Sequence, residues 1–298
     1  MQLTPRDRQI LAAVYQHRYL SSQHVHALLF AGRHVTLARL RLRKLWQHRY
    51  LDRFFFPVVL DGTRDCLRNA ARPLYCLSRH GAQVVAADAG LDVEHIPHTS
   101  AQNAEGYATL QHHLVTTDLL VALQGACGSR TDVEVVSFER EHALWGSVNV
   151  ARARTGLGTY IVPDGAFTLR REHTPRPWTF YVEIVRADAR SGNKSLLKKM
   201  RQYVQLLRAG FFKAVYGHES VRAVLFCTTT SARADNFRQL SSRLPHGKNL
   251  FWFTAYEAFK TQGIPMTTFT PETILTSIFT DAQGAPHALV PPTPPPII

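Results

Sequence analysis

The segment 161-IVPDGAFTLRREHTPRPWTFYVEIV-185 decides how the second half of this chain is read. Two apolar runs, IVPDGAFTL (161–169) and WTFYVEIV (178–185), flank a short polar break, which is the pattern of neighbouring strands. Pro163-Asp164-Gly165 leads into the first run, and Glu183 interrupts the second. Two readings compete. In one, Pro-Asp-Gly is a turn and Glu183 is an edge-strand acid paired with an arginine. In the other, Asp164 and Glu183 face each other as catalytic carboxylates that hold Mg²⁺ for phosphodiester cleavage. Side chains two apart on a strand share a face, and such a site carries a lysine two residues after its glutamate. That position is Val185. The next helix supplies Lys194, Lys198 and Lys199, and Lys198 is the substitute assigned to the catalytic role. The expectation is that neither Lys198 nor Lys199 reaches across to complete the site.

Outward from this segment, a long helix (GYATLQHHLVTTDLLVALQGAC) and a strand (TDVEVVSFE) come before it. A helix from about Asn193 to Arg208, the strand RAVLFCTTT, the helix ARADNFRQLSSRL and the strand NLFWFTA come after it. The order α-β-β-β-α-β-α-β predicts a three-layer α/β, nuclease-like domain over residues 104–282. A polar linker (92–103) precedes it and a Pro-rich tail (283–298) follows, its end read as extended or disordered.

The front of the chain differs in charge. Residues 1–56 hold ten Lys or Arg against Asp7 and Asp52 only, out of 35 Lys and Arg and 22 Asp and Glu overall. Thr4-Pro5 starts a first helix, as N-cap and first helical residue. Ser21-Ser22 starts a second, and a third runs from about Val35 to Gln47. Two β-rich runs, LDRFFFPVVL and PLYCLS, enclose a basic loop, and LSRHGAQVVAADAG reads as one more helix. Three helices followed by a hairpin predict a winged helix-turn-helix over residues 1–91, making the chain α+β overall.

In the third helix Thr36, Arg39, Arg43 and Gln47 share one face, with Arg41 and Lys44 on an adjacent stripe and Ala38, Leu42 and Leu45 opposite. Arginines so placed suit readout of guanine in the major groove, with flanking cations on phosphates. Arg64, Arg68 and Arg72 of the hairpin loop are assigned to the wing. Leu37 and Leu40 do not fit this DNA face.

A net charge of +13 and a pI near 10.0 favour a polyanion partner, here double-stranded DNA. No apolar run is long enough to span a bilayer, so no membrane partner is expected. Four scattered cysteines without paired spacing point to a reduced, cytoplasmic setting. His112, His113, His142 and His173 are weaker candidates for a metal than for ordinary hydrogen-bonded residues. DNA binding requires no cofactor, and Mg²⁺ enters only with cleavage. A homodimer and replication or transfer proteins are the further partners considered.

The chain resembles the replication-relaxation family of plasmid and integrative-element proteins. The resemblance rests on LTPRDRQIL, TLARLRLRKL, PLYCLSRHGA, LQHHLVTTDLLVAL, VPDGAF, FYVEI and KKMRQYVQL, in that order. It implies a winged helix joined to a domain related to the PD-(D/E)XK nucleases, with Asp164 and Glu183 at the acidic positions and Lys198 or Lys199 as the helix lysine. Val185 stands where the family's third strand carries a second acid. The expected function is DNA binding in replication or relaxation, with a degenerate nuclease-like domain. The alternative is a Mg²⁺-dependent endonuclease or nickase.

Overall fold

A computed structural model describes residues 1–56, 72–98, 107–156, 158–174, 176–185, 192–256, 259–261, 264–266 and 269–291. The fold is mixed α and β and divides into two compact units, residues 1–121 with 259–266, and residues 122–258 with 267–298. The division falls inside a long helix, between Val121 and Ala122, and not at the polar stretch 92–103, part of which is a single 3₁₀ turn at Val93–His95. Leu110 and Leu114, near the start of that helix, pack with Tyr19, Leu74 and Cys76 of the first unit. Apolar contact, which polarity of the chain does not report, therefore sets where the first unit ends.

The first unit opens with α1 (Pro5–His17), β1 (Leu20–Ser21), α2 (Ser22–Leu29) and α3 (Val35–Gln47). It continues with β2 (Leu51–Phe56), β3 (Arg72–Leu77) and α4 (Arg79–Ala89). Thr4 caps α1 in a capping box with Asp7, and Ser21 caps α2. The strand order is β1-β3-β2, antiparallel throughout. Ile10, Leu11, Val14, Val25, Leu42, Leu45 and Leu77 meet in one buried core. Gly81 lets α4 lie against the chain after α3, because a Cβ there would stand 2.1 Å from the Tyr50 carbonyl oxygen.

The long helix α5 (Tyr107–Gly128) is followed by β4 (Val133–Arg140), α6 (Glu141–Thr155), β5 (Gly165–Arg171) and β6 (Trp178–Val185). Then come α7 (Asn193–Arg208), α8 (Phe211–Tyr216), β7 (Val221–Thr228), α9 (Ser231–Ser242) and β8 (Phe251–Ala255). A small antiparallel pair, β9 (Phe259–Thr261) and β10 (Ile264–Met266), precedes β11 (Phe279–Thr280) and β12 (Pro286–His287). The main sheet has the order β12-β11-β8-β7-β6-β5-β4. β6, β7 and β8 are parallel and the remaining pairs antiparallel.

One expectation is corrected here. The helix α6 stands between the first two predicted strands. Its Leu144 and Val148, one turn apart, are buried, and Gly156 ends it in a left-handed conformation, so the second unit departs from the predicted α-β-β-β order. The start of the Pro-rich tail is packed. His287 stacks on Trp252 at 4.3 Å, Leu289 and Val290 are buried, and Arg171 donates to the Pro291 carbonyl. Residues 292–298 lie outside the described residues.

Candidate DNA-facing helix and buried carboxylate cluster

In the first unit, Ala38, Leu42 and Leu45 fix the inner side of α3 in the core. Thr36, Arg39, Arg43, Lys44 and Gln47 are consequently exposed. Arg41 is not part of that surface. Its Nε donates to Asp7 Oδ1 at 2.9 Å, a second guanidinium nitrogen pairs with Asp7 Oδ2, and that nitrogen also donates to Thr4 at 3.1 Å. Asp7 is fully buried. Burial pushes its carboxyl up, but the hydrogen bonds from Arg41 and Thr4 outweigh burial and hold it below the ordinary value. The Arg41 charge thus offsets a buried acid instead of joining the outer stripe, and ties α3 to α1.

A residue outside the predicted set joins the face. Arg53 of β2 lies 3.7 Å over the Trp46 ring. With Arg39, Arg43, Ser22, Gln23, Pro73 and Tyr75 it surrounds a hollow of about 280 Å³. Its guanidinium hydrogen-bonds Tyr75, while its Nε is buried without a hydrogen-bond partner among the described residues. The signal in the sequence was strand alternation, since Arg53 sits two residues before exposed Phe55 and shares its face. Arg64 and Arg68 lie outside the described residues. Arg72 begins β3, its backbone in register with Phe56. Leu37 and Leu40 are 42% and 53% exposed.

In the second unit the segment 161–185 forms the strands expected of it, with Asp164 at the entrance to β5. The β5–β6 ladder ends at Gly165 opposite Val182. Beyond it, the Asp164 amide donates to the Val182 carbonyl at 3.0 Å, and the Asp164 carboxylate accepts from the Ile184 amide at 2.7 Å. The side chain so continues the ladder by one bond. Glu183 lies on β6 between β5 and β7, not on an edge. Alternation places it on the face of Tyr181 and Val185, which packs against α7.

α7 decides which lysine meets it. At about 100° per residue, Lys199 falls within the arc of the buried Leu196, Met200, Tyr203 and Leu206, whereas Lys198 falls opposite. Lys198 is exposed. Lys199 Nζ pairs with Glu183 Oε2, and the Tyr203 hydroxyl donates to Glu183 Oε1 at 2.5 Å. The assignment of Lys198, and the expectation that neither lysine reaches Glu183, are both corrected; helical phase alone distinguishes the two.

Glu183 is 1% exposed. Burial pushes its carboxyl up to about 7, against the pull of Lys199 and with a further push from Asp164. Burial works to lower Lys199, but Glu183 and Asp164 outweigh it and the ammonium is favoured. As a Mg²⁺ site the cluster fits poorly. Mg²⁺ keeps several waters when a protein binds it, and Glu183 is enclosed with both oxygens engaged. Among the described residues no group of three or more His, Cys, Asp or Glu is placed to hold a metal.

Both sites lie inside one family match. The basic helix and the carboxylate cluster sit on separate units of an α+β protein, and the sequence model of replication-relaxation matches residues 11–221, well over half of the chain. The chain belongs to the replication-relaxation family. No curated protein and no solved structure matches it. Among the described residues no helix is long and apolar enough to cross a membrane.

Proposed function

We propose that this protein binds double-stranded DNA through α3, the recognition helix of a winged helix-turn-helix, and acts in the replication or relaxation of a plasmid or mobile element. The observation that carries the reading is the exposed face of α3, where Arg39, Arg43 and Lys44 stand outward from a core-anchored helix with Arg53 beside them. The family description supports the process, and the chain's net charge of +13 supports the partner. The second unit is nuclease-like in its strand-borne acids and non-catalytic, its Glu183 neutralised by Lys199 and shielded from solvent. Fluorescence anisotropy with plasmid-derived duplexes tests the reading. Arg39→Ala with Arg43→Ala removes specific binding, and retention of it refutes the assignment.

One observation favours a second reading: Glu183 and Lys199 meet beside Asp164, an acid-acid-lysine set at the ends of β5 and β6. Such a set belongs to metal-dependent endonucleases or nickases. Plasmid nicking with Mg²⁺ or Mn²⁺ that Asp164→Ala and Glu183→Ala both abolish establishes this reading in place of the non-catalytic one.

A further inference from the structure

The two exposed leucines of α3 are the surface feature that arginine readout leaves unexplained. At about 100° per residue, Leu40 lies near the middle of the exposed arc. Thr36, Arg43 and Gln47 are on one flank, and Lys44 and Leu37 are on the other. Leu40 is 53% and Leu37 42% exposed, so the helix presents a short apolar strip bordered by cations. No acid occurs anywhere in VTLARLRLRKLWQ. A second copy laid face to face on this strip would set Arg39, Arg43 and Lys44 against their own counterparts with nothing on α3 to offset them. The matching occupant carries negative charge at its borders and apolar groups at its centre. The major groove of DNA has that form, with phosphates along its rims and thymine C5-methyls on its floor.

We infer that Leu37 and Leu40 read thymine methyl groups, so that the target sequence carries thymines where the middle of α3 enters the groove. The inference rests on the DNA-binding reading of α3 and adds a base identity that the arginines do not specify.

The test begins by selecting bound sequences from a randomised duplex pool. Each thymine of the selected site is then replaced by deoxyuridine, which deletes the methyl and keeps the base pair. At one or two positions the replacement weakens wild-type binding roughly fourfold, the effect of losing one buried apolar carbon. Leu40→Ala or Leu37→Ala binds thymine and deoxyuridine duplexes alike at the same position. Both leucines are exposed, so these variants melt as the wild type does, which a thermal scan verifies. Indifference to deoxyuridine at every position overturns the inference and leaves DNA binding standing. Sensitivity that persists in both variants assigns the methyl contact to other residues and overturns it too. Selection of no sequence overturns it as well. Absence of any DNA binding overturns the underlying reading. Wild-type self-association in sedimentation that Leu40→Ala abolishes gives the strip to a second copy of the chain.

Discussion

Replacing Lys199 by methionine probes the carboxylate cluster most directly. The substitution keeps an unbranched side chain one atom shorter and removes its charge, leaving Glu183 buried without its cation. Losing one partner of a buried pair costs about 3–5 kcal/mol when the remaining charge has nowhere to go. Lys199 is 38% exposed, so water replaces part of what it supplied and the lower end, about 3 kcal/mol, applies. The cost depends on pH, and the sign follows from Glu183. Its carboxyl is raised from 4.5 to about 7 in the folded protein, so the folded state holds a proton that the unfolded state has lost. The contribution of Glu183 to stability is therefore fully present below about 4.5 and declines as pH rises through 7. At about pH 5 Glu183 is already neutral, and Lys199→Met forfeits little beyond a hydrogen bond, about 1 kcal/mol. At about pH 8 the full cost appears. Urea denaturation at both pH values measures it, followed by fluorescence in a Trp46→Phe background so that Trp145, Trp178 and Trp252 report the second unit. Lys198→Met, on the exposed side of α7, serves as control and stays within about 0.5 kcal/mol of wild type. Equal penalties at the two pH values, or equal penalties for the two lysines, refute the reasoning.

Arg41→Ala strands the buried Asp7 and lowers the stability of the first unit by about 3 kcal/mol near neutrality. Because Asp7 is held below 3.8, the stabilisation exists above that value and fades as pH falls through the lowered one, so melts by circular dichroism converge for wild type and variant in strong acid. Gly81→Ala drives a Cβ to 2.1 Å from the Tyr50 carbonyl oxygen and destabilises the first unit by about 3 kcal/mol or more, read as a drop in melting temperature. Arg43→Ala costs about 1–3 kcal/mol on the selected DNA and relaxes sequence preference, as loss of a base contact requires.

The first unit was legible in the sequence because local chemistry and pattern agreed there. Thr4-Pro5 and Ser21-Ser22 are helix starts whose side chains make the capping bonds, and α3 begins at Val35 and ends at Gln47 as its periodicity predicts. The strands around Asp164 and Glu183 were legible for the same reason. α6 was not, because EHALWGSVNVARART mixes glycine and valines into a helix with a narrow buried side, and its strongest signal is the Gly156 stop. Arg41 and Arg43 are two apart in one charged helix, and only the position of α1 sends one to Asp7 and leaves the other outside. Lys199 was readable from helical phase, which puts it in the arc of Leu196, Met200 and Tyr203 and Lys198 opposite.

The residue that most separates the two readings of the second unit is Val185. It shares a face with Glu183 and packs into the same apolar layer, so the place where a cutting site needs a lysine in contact with solvent is filled by hydrocarbon. Lys199 reaches Glu183 from α7, alongside Tyr203, whose hydroxyl takes the other carboxylate oxygen. A carboxylate held in this way is satisfied from within the protein: its charge is matched, its oxygens are bonded, and its side chain is out of reach of a phosphodiester. For cleavage to occur the pair would have to part and Glu183 would have to regain solvent, at a cost of the order worked out for Lys199→Met. The same arithmetic that predicts the stability of this cluster thus argues that it joins β6 to α7.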